Sequence, residues 1–217
     1  MVIIQFIFFI LILLMSVVIH EVSHGYAAYL QGDMTAKYQG RLTLNPLKHI
    51  DPIGSIIVPI VTSFLGFPFG WAKPVPFNPY NLRNQRWGEL LVAAAGPAAN
   101  IIIAIFFGVI VRLALFTAPS SSFVYISAWV IWINICLAVF NLIPIPPLDG
   151  SKILFSFLPY HWSRIRWQIE RYSLILVFIL ILIPIFSTAL GITGFFLTQH
   201  LSGISPALLT NYLSVLP

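Results

Sequence analysis

Residues 20–24 read His-Glu-Val-Ser-His: two imidazoles four positions apart, with a carboxylate beside the first. On an α-helix a spacing of four returns to the same face, so His20 and His24 can reach one ion while Glu21 stands next to it as a proton acceptor. From composition alone, the expected number of H-E-x-x-H matches in this chain is roughly 0.0016, so chance is a poor account. Imidazole suits zinc, and catalytic zinc commonly takes three protein ligands and leaves its fourth position to water. A third ligand must come from elsewhere in the chain.

Only six acidic residues exist, which makes the search short. Asp33 and Asp51 lie in a basic loop, Glu89 begins an apolar run, and Glu170 lies in a basic segment; all four read as solvated. Asp149 differs. It follows Asn141-Leu-Ile-Pro-Ile-Pro-Pro-Leu148, where three prolines prevent a regular helix, and Gly150 follows it. Irregular backbone at membrane depth is tolerated where it is buried in protein or lines a wet cavity, so this segment is suited to aim Asp149 inward. The alternative is a helix-capping Asp ahead of Ser151 and Lys152. His49, His161 and His200 read as hydrogen-bonded structural residues, and Cys136, in an apolar run, as a small buried hydrophobe.

The elements that must carry these groups are apolar. Of 217 residues, 59% are hydrophobic and 8% charged, against about 25% charged in an average soluble domain; the mean hydropathy is +0.95. An ordinary soluble protein is excluded, and the lipid bilayer is the expected solvent. The net charge of +5 is no sign of nucleic acid, because no basic stretch accompanies a soluble recognition module. Five stretches carry no Lys, Arg, Asp or Glu: residues 1–20, 52–72, 90–111, 113–148 and 172–217. A helix needs about 20 apolar residues to cross, so most of these can span. The first reads as a retained helix to about Leu30, since no basic residue precedes it and no cleavage pattern follows.

Ten of the 11 basic residues fall in three segments: Lys37, Arg41 and Lys48; Lys73, Arg83 and Arg86; Lys152, Arg164, Arg166 and Arg171. If all face the cytoplasm, the stretch 52–72, interrupted by Gly54, Pro59, Gly66, Pro68 and Gly70, leaves by the side it entered and is re-entrant. Residues 89–117 then cross outward, a loop at 119–122 lies outside, and 123–143 return. The last stretch forms one or two further helices broken near Pro184, Gly191 and Gly194, and the N-terminus lies outside. The predicted fold class is an all-α polytopic membrane protein. It has about five to six hydrophobic helices in a single domain over 1–217, with a re-entrant segment and a possible small β-element at 41–45.

His20-Glu21-x-x-His24, Gly96-Pro97-Ala98-Ala99-Asn100 and Asn141-x-x-Pro144-x-Pro146-Pro147-Leu148-Asp149-Gly150, in that order, resemble the site-2 proteases, the intramembrane zinc metalloproteases. Gly40 to Pro46 and Gly70 to Val75 are also similar to short bacterial and archaeal members, which points to a multi-pass protein of a prokaryotic cell membrane. The resemblance implies that His20, His24 and Asp149 bind one zinc ion and that Glu21 is the catalytic acid/base. It also implies that Asn141 contacts substrate backbone or the oxyanion, and that transmembrane proteins are the substrates. The family places its zinc nearer the cytoplasmic face. No PDZ domain is expected in the short loop near Pro119, and no nucleotide-sensing domain after Asp149.

On that reading Glu21 takes a proton from the attacking water and returns it to the leaving amine. An amide donor stabilises the oxyanion; Asn141 is preferred to Asn100, whose other reading is an interhelical hydrogen bond beside Gly96 and Ala98. An unwound substrate would pair with an extended edge, for which 41–45 is the candidate. Two rivals remain. A transporter or metal permease also places His and Asp in apolar helices but has no need of Glu21, and an inactive scaffold has no need of zinc.

Overall fold

The computed structural model describes residues 2–58, 71–117, 122–159 and 162–213. Helix α1 runs Val2–Leu30, and a single turn, α2, covers Thr35–Tyr38. The long α3 spans Gln85–Leu115, α4 Ser122–Asn141 and α5 Asp149–Phe157. They are followed by α6 at Ser163–Arg171, α7 at Ser173–Leu182, α8 at Pro184–Ser202 and α9 at Pro206–Leu213. Among the described residues, three helices are long and apolar enough to cross a membrane: Ile4–Leu30, Trp87–Leu115 and Ser122–Asn141. Helices α7 and α8 together pass the same test but bend by 77°. The chain is an all-helical, multi-pass membrane protein.

Leu, Ile, Phe and Val dominate these spans, and many face outward. Phe6, Ile7, Leu11, Ile102, Phe106 and Leu113 are all exposed, as lipid-facing residues should be. Inside, α3 and α4 pack through Ala104, Val111, Val124, Ala128, Ile131 and Ile135, closed at one end by Ile204 and Leu209. The bend falls at Ile183–Pro184, where Pro184 lacks the N–H that a continuous helix would need. Gly191 and Gly194 do not break the chain; both lie inside α8. At Gly194 a Cβ would stand 2.6 Å from Cys136 Sγ and 3.0 Å from Trp132 Nε1, so this glycine permits close approach of α8 to α4.

Loop contacts order the two ends of the bundle. At one end, Arg83 N donates to Gln31 O and Arg166 pairs with Glu89 at 2.5 Å, joining the end of α1, the start of α3, and α6. Arg112, the basic residue outside the three clusters, sits at the other end of α3. Its guanidinium donates to the Leu201 carbonyl at 2.7 Å and to that of His200, capping the last turn of α8.

Among the described residues no strand forms, and 41–45 is irregular, with a bend at Leu42 and Thr43. Local bonds take up some of its backbone groups: Arg41 N donates to Ala36 O, and His49 Nε2 donates to Thr43 O. Asn45 caps the 3-10 turn Pro46–Lys48. The interior of the predicted re-entrant stretch, the 119–121 part of the predicted outer loop, and His161 lie outside the described residues. The two ends of that stretch do meet. Trp71 N donates to Gly54 O at 3.0 Å, Ser55 Oγ to Trp71 O at 2.8 Å, and Trp71 Nε1 to Asp51 Oδ2 at 3.1 Å.

Candidate metal centre

Three buried ligand atoms converge between α1 and the start of α5. His20 Nε2 and His24 Nε2 each stand 3.1 Å from Asp149 Oδ2 and 3.1 Å from one another. The histidines are one helical turn apart on α1, as their spacing requires. They lie ten and six residues before Leu30, so the cluster is about 9–15 Å inside the span, nearer the end where the basic loops gather.

Asp149 arrives through the proline segment, whose backbone satisfies itself. Ile145 N bonds Ile143 O, Leu148 N bonds Ile145 O, and Ser151 N and Oγ both bond Leu148 O. Gly150 packs onto the backbone of Leu142 and Ile143, where a side chain would collide. The loop therefore folds back on itself and starts α5 with its first carboxylate pointing at α1. Asp149 makes no cap: Oδ2 is buried without a hydrogen-bond partner, and Oδ1 lies 4.0 Å from Lys152 Nζ.

The outer ring nitrogens decide what the inner ones can do. His24 Nδ1 faces the Val92 carbonyl at 2.7 Å, and His20 Nδ1 faces Asn100 Oδ1 at 2.6 Å. Both partners only accept, so both Nδ1 atoms carry hydrogen, and each ring in its neutral form turns an Nε2 lone pair inward. Two lone pairs and a carboxylate oxygen meeting at 3.1 Å repel one another unless a cation lies among them. Ligands held roughly 2.0–2.1 Å from a tetrahedral zinc stand about 3.3 Å apart, so spacing and donor set both fit that ion. An imidazole N–H held by a carbonyl or amide oxygen is the usual second layer of such a site.

Gly96 leaves room for the rings: a Cβ there would stand 2.5 Å from His24 Nε2 and 2.6 Å from His20 Nε2. Glu21 points to one side, where Oε2 accepts the Val75 N–H at 2.9 Å. Val75 belongs to a segment without regular secondary structure, 71–78, that is tied down by other groups. Buried Arg41 donates to the carbonyls of Lys73 and Pro74 at 2.7 and 3.2 Å, and Lys73 N donates to His49 O at 2.9 Å.

The structure thus brings His20, His24 and Asp149 together, with Glu21 beside them in sequence. Asn141 shares no hydrogen bond with the cluster; one of its amide hydrogens goes to Leu137 O, in its own helix, at 2.9 Å. Asn100 is fully buried and spent on His20 and on Asn134, so its interhelical bonds serve His20. Sequence reading missed Asn134 and Ser16, which continue this chain. The available signal was an amide in mid-span of the apolar α4. Asp33 was misread as solvated. It is fully buried and accepts from Thr35, Asn78 and Asn81.

Comparison with known proteins agrees with this chemistry. Residues 8–118 and 111–185 match peptidase family M50. Proteins named "Putative zinc metalloprotease" are similar over most of the chain. YwhC of Bacillus subtilis is 38% identical over 192 residues, covering 84% of each chain. Rip2 of Mycolicibacterium smegmatis is 31% identical over 79% of this chain and 65% of its own. No solved structure matches. The chain belongs to peptidase family M50, the site-2 proteases, and is an intramembrane zinc protease.

Proposed function

We propose that His20, His24 and Asp149 hold the zinc ion and that Glu21 is the proton-transfer residue of an H-E-x-x-H endopeptidase acting on transmembrane helices. The observation that carries this is the convergence of three buried ligand atoms at 3.1 Å with inward lone pairs and no other partner for Asp149 Oδ2. Zinc bound there supplies a Lewis acid that polarises the scissile carbonyl and makes water acidic enough to ionise near neutral pH.

The chain's own residues do the rest. Glu21 accepts a proton from the attacking water, and the same carboxyl returns it to the amine as the C–N bond breaks. Val75 N–H holds that carboxylate in place meanwhile. The second amide hydrogen of Asn141 is available to the oxyanion, whereas Asn100 has both ends committed. Substrate must arrive unwound, because a helical peptide bond is shielded by its own hydrogen bonds.

Orientation follows from charge: the basic loops lie in the cytoplasm and the N-terminus outside, which places the centre nearer the cytoplasmic face. A permease has no use for Glu21, and a scaffold none for zinc. Zinc content and cleavage of a transmembrane substrate, measured together, separate these readings. Glu21→Gln keeps its metal and loses turnover by about 10²-fold or more, while Asp149→Ala loses both. Cleavage retained in Glu21→Gln rejects the assignment.

A further inference from the structure

The path leading away from His20 has a direction. Asn134, fully buried in the middle of α4, donates from Nδ2 to the Val130 carbonyl at 2.8 Å and to Ser16 Oγ at 2.9 Å. A backbone carbonyl can only accept, so the atom against Val130 must be the amide nitrogen, and Oδ1 is left to face α3. There it meets Asn100 Nδ2 at 2.7 Å. Asn100 is thereby turned with Oδ1 toward His20 Nδ1, at 2.6 Å. Its other contact, Nδ2 to Ser16 O, is 3.4 Å, beyond the usual N–H···O range, and holds it less firmly.

Each link is forced by the one before it. With Asn134 reversed, oxygen would face oxygen at Val130, nitrogen would face α3, and Asn100 would flip to present its amide nitrogen to His20. His20 would then carry its hydrogen on Nε2 and have no lone pair to offer the centre. Water cannot repair a broken link, since Asn100 and Asn134 are 0% exposed and Ser16 4%. His24 needs no such relay, because it faces the Val92 carbonyl directly.

We propose that Asn134 is a positioning residue of the zinc centre. It acts through Asn100 to hold His20 in the Nδ1–H tautomer, so that a backbone carbonyl on α4 determines which nitrogen of a histidine on α1 receives the metal. The inference rests on His20 being a zinc ligand. It adds that α4, which contributes no ligand, sets the affinity of the site.

The test uses full-length protein in detergent, with zinc as the probe. In wild-type protein stripped of metal, ¹⁵N NMR of labelled histidine shows His20 protonated at Nδ1; protonation at Nε2 overturns the relay whatever any variant does. Asn134→Leu mixes the tautomers and weakens zinc binding, read by chelator competition, by about 10–100-fold, as loss of a second-layer partner does. Thr198→Val, an equally buried polar-to-apolar change away from the relay, leaves zinc affinity unchanged and controls for packing damage. His20→Ala separates the two ideas. If it fails to weaken zinc binding, the ligand assignment falls. If it abolishes binding while Asn134→Leu binds zinc like wild type with His20 still Nδ1–H, the relay alone falls.

Discussion

At Gly96 the missing side chain matters more than most that are present. Any Cβ there would press on both inward-facing nitrogens, at 2.5 and 2.6 Å, and imidazoles held at Nδ1 by Val92 and Asn100 have little freedom to retreat. Gly96→Ala is therefore expected to lower bound zinc well below one per chain while helix content stays unchanged. Gly191→Ala, with nothing within 4 Å of its Cβ, should keep full zinc. Metal analysis and circular dichroism on the two variants check the contrast. The residues of the cluster were legible in sequence because each is costly in an apolar span, and the two histidines share one helix face. Asn100 was harder, since a buried amide reads equally as helix glue or as an active-site donor. Only the short bond to His20 decides.

The connection from α1 to α3 depends on Asp33. Oδ2 accepts from Asn78 N at 2.7 Å; Oδ1 accepts from Asn81 Nδ2 at 2.9 Å and from both Thr35 donors. Burial pushes this carboxyl up, but the hydrogen bonds from Thr35, Asn81 and Asn78 outweigh it and hold its pKa below the ordinary carboxylate value. A pKa lowered on folding contributes stability that is fully present above the unfolded value, about 3.9, and lost as pH falls through the folded one. Melting curves in detergent should show Asp33→Asn less stable than wild type at pH 7, with the gap closing below about pH 4. A gap independent of pH contradicts this account. Composition could not reveal the role, because a loop aspartate among lysines looks solvated until Asn78 and Asn81 fold back onto it. The β-element at 41–45 misled in the opposite way: its alternation is real, but Ala36, Thr43 and His49 tie down Arg41 N, Asn45 N and Thr43 O locally. By contrast, the Pro184 break was readable from proline's missing donor, although Pro97 lies inside α3 without interrupting it.

Across the whole molecule, the proposed orientation rests on where the charges lie. The loops that touch Asp33, Glu21 and Glu89 carry nearly all the basic residues, and Arg112 lies at the far end capping α8. Tyr38, 82% exposed, and Phe116, 87% exposed, mark the opposite ends. An impermeant thiol reagent added to intact cells should label Phe116→Cys and spare Tyr38→Cys; the reverse pattern inverts the topology. The gathering of basic residues toward one end of the bundle was legible in sequence, whereas the packing of α8 on α4 through Gly194 and Cys136 depends on shape that hydropathy does not encode.

All of this turns on a zinc ion held by His20, His24 and Asp149. Zinc X-ray absorption on the loaded protein tests it most directly. The account predicts a shell of nitrogen and oxygen at roughly 2.0–2.2 Å with the multiple scattering of two imidazoles, reduced to one in His24→Ala. A shell without imidazole scattering, or one that His24→Ala leaves unchanged, contradicts it.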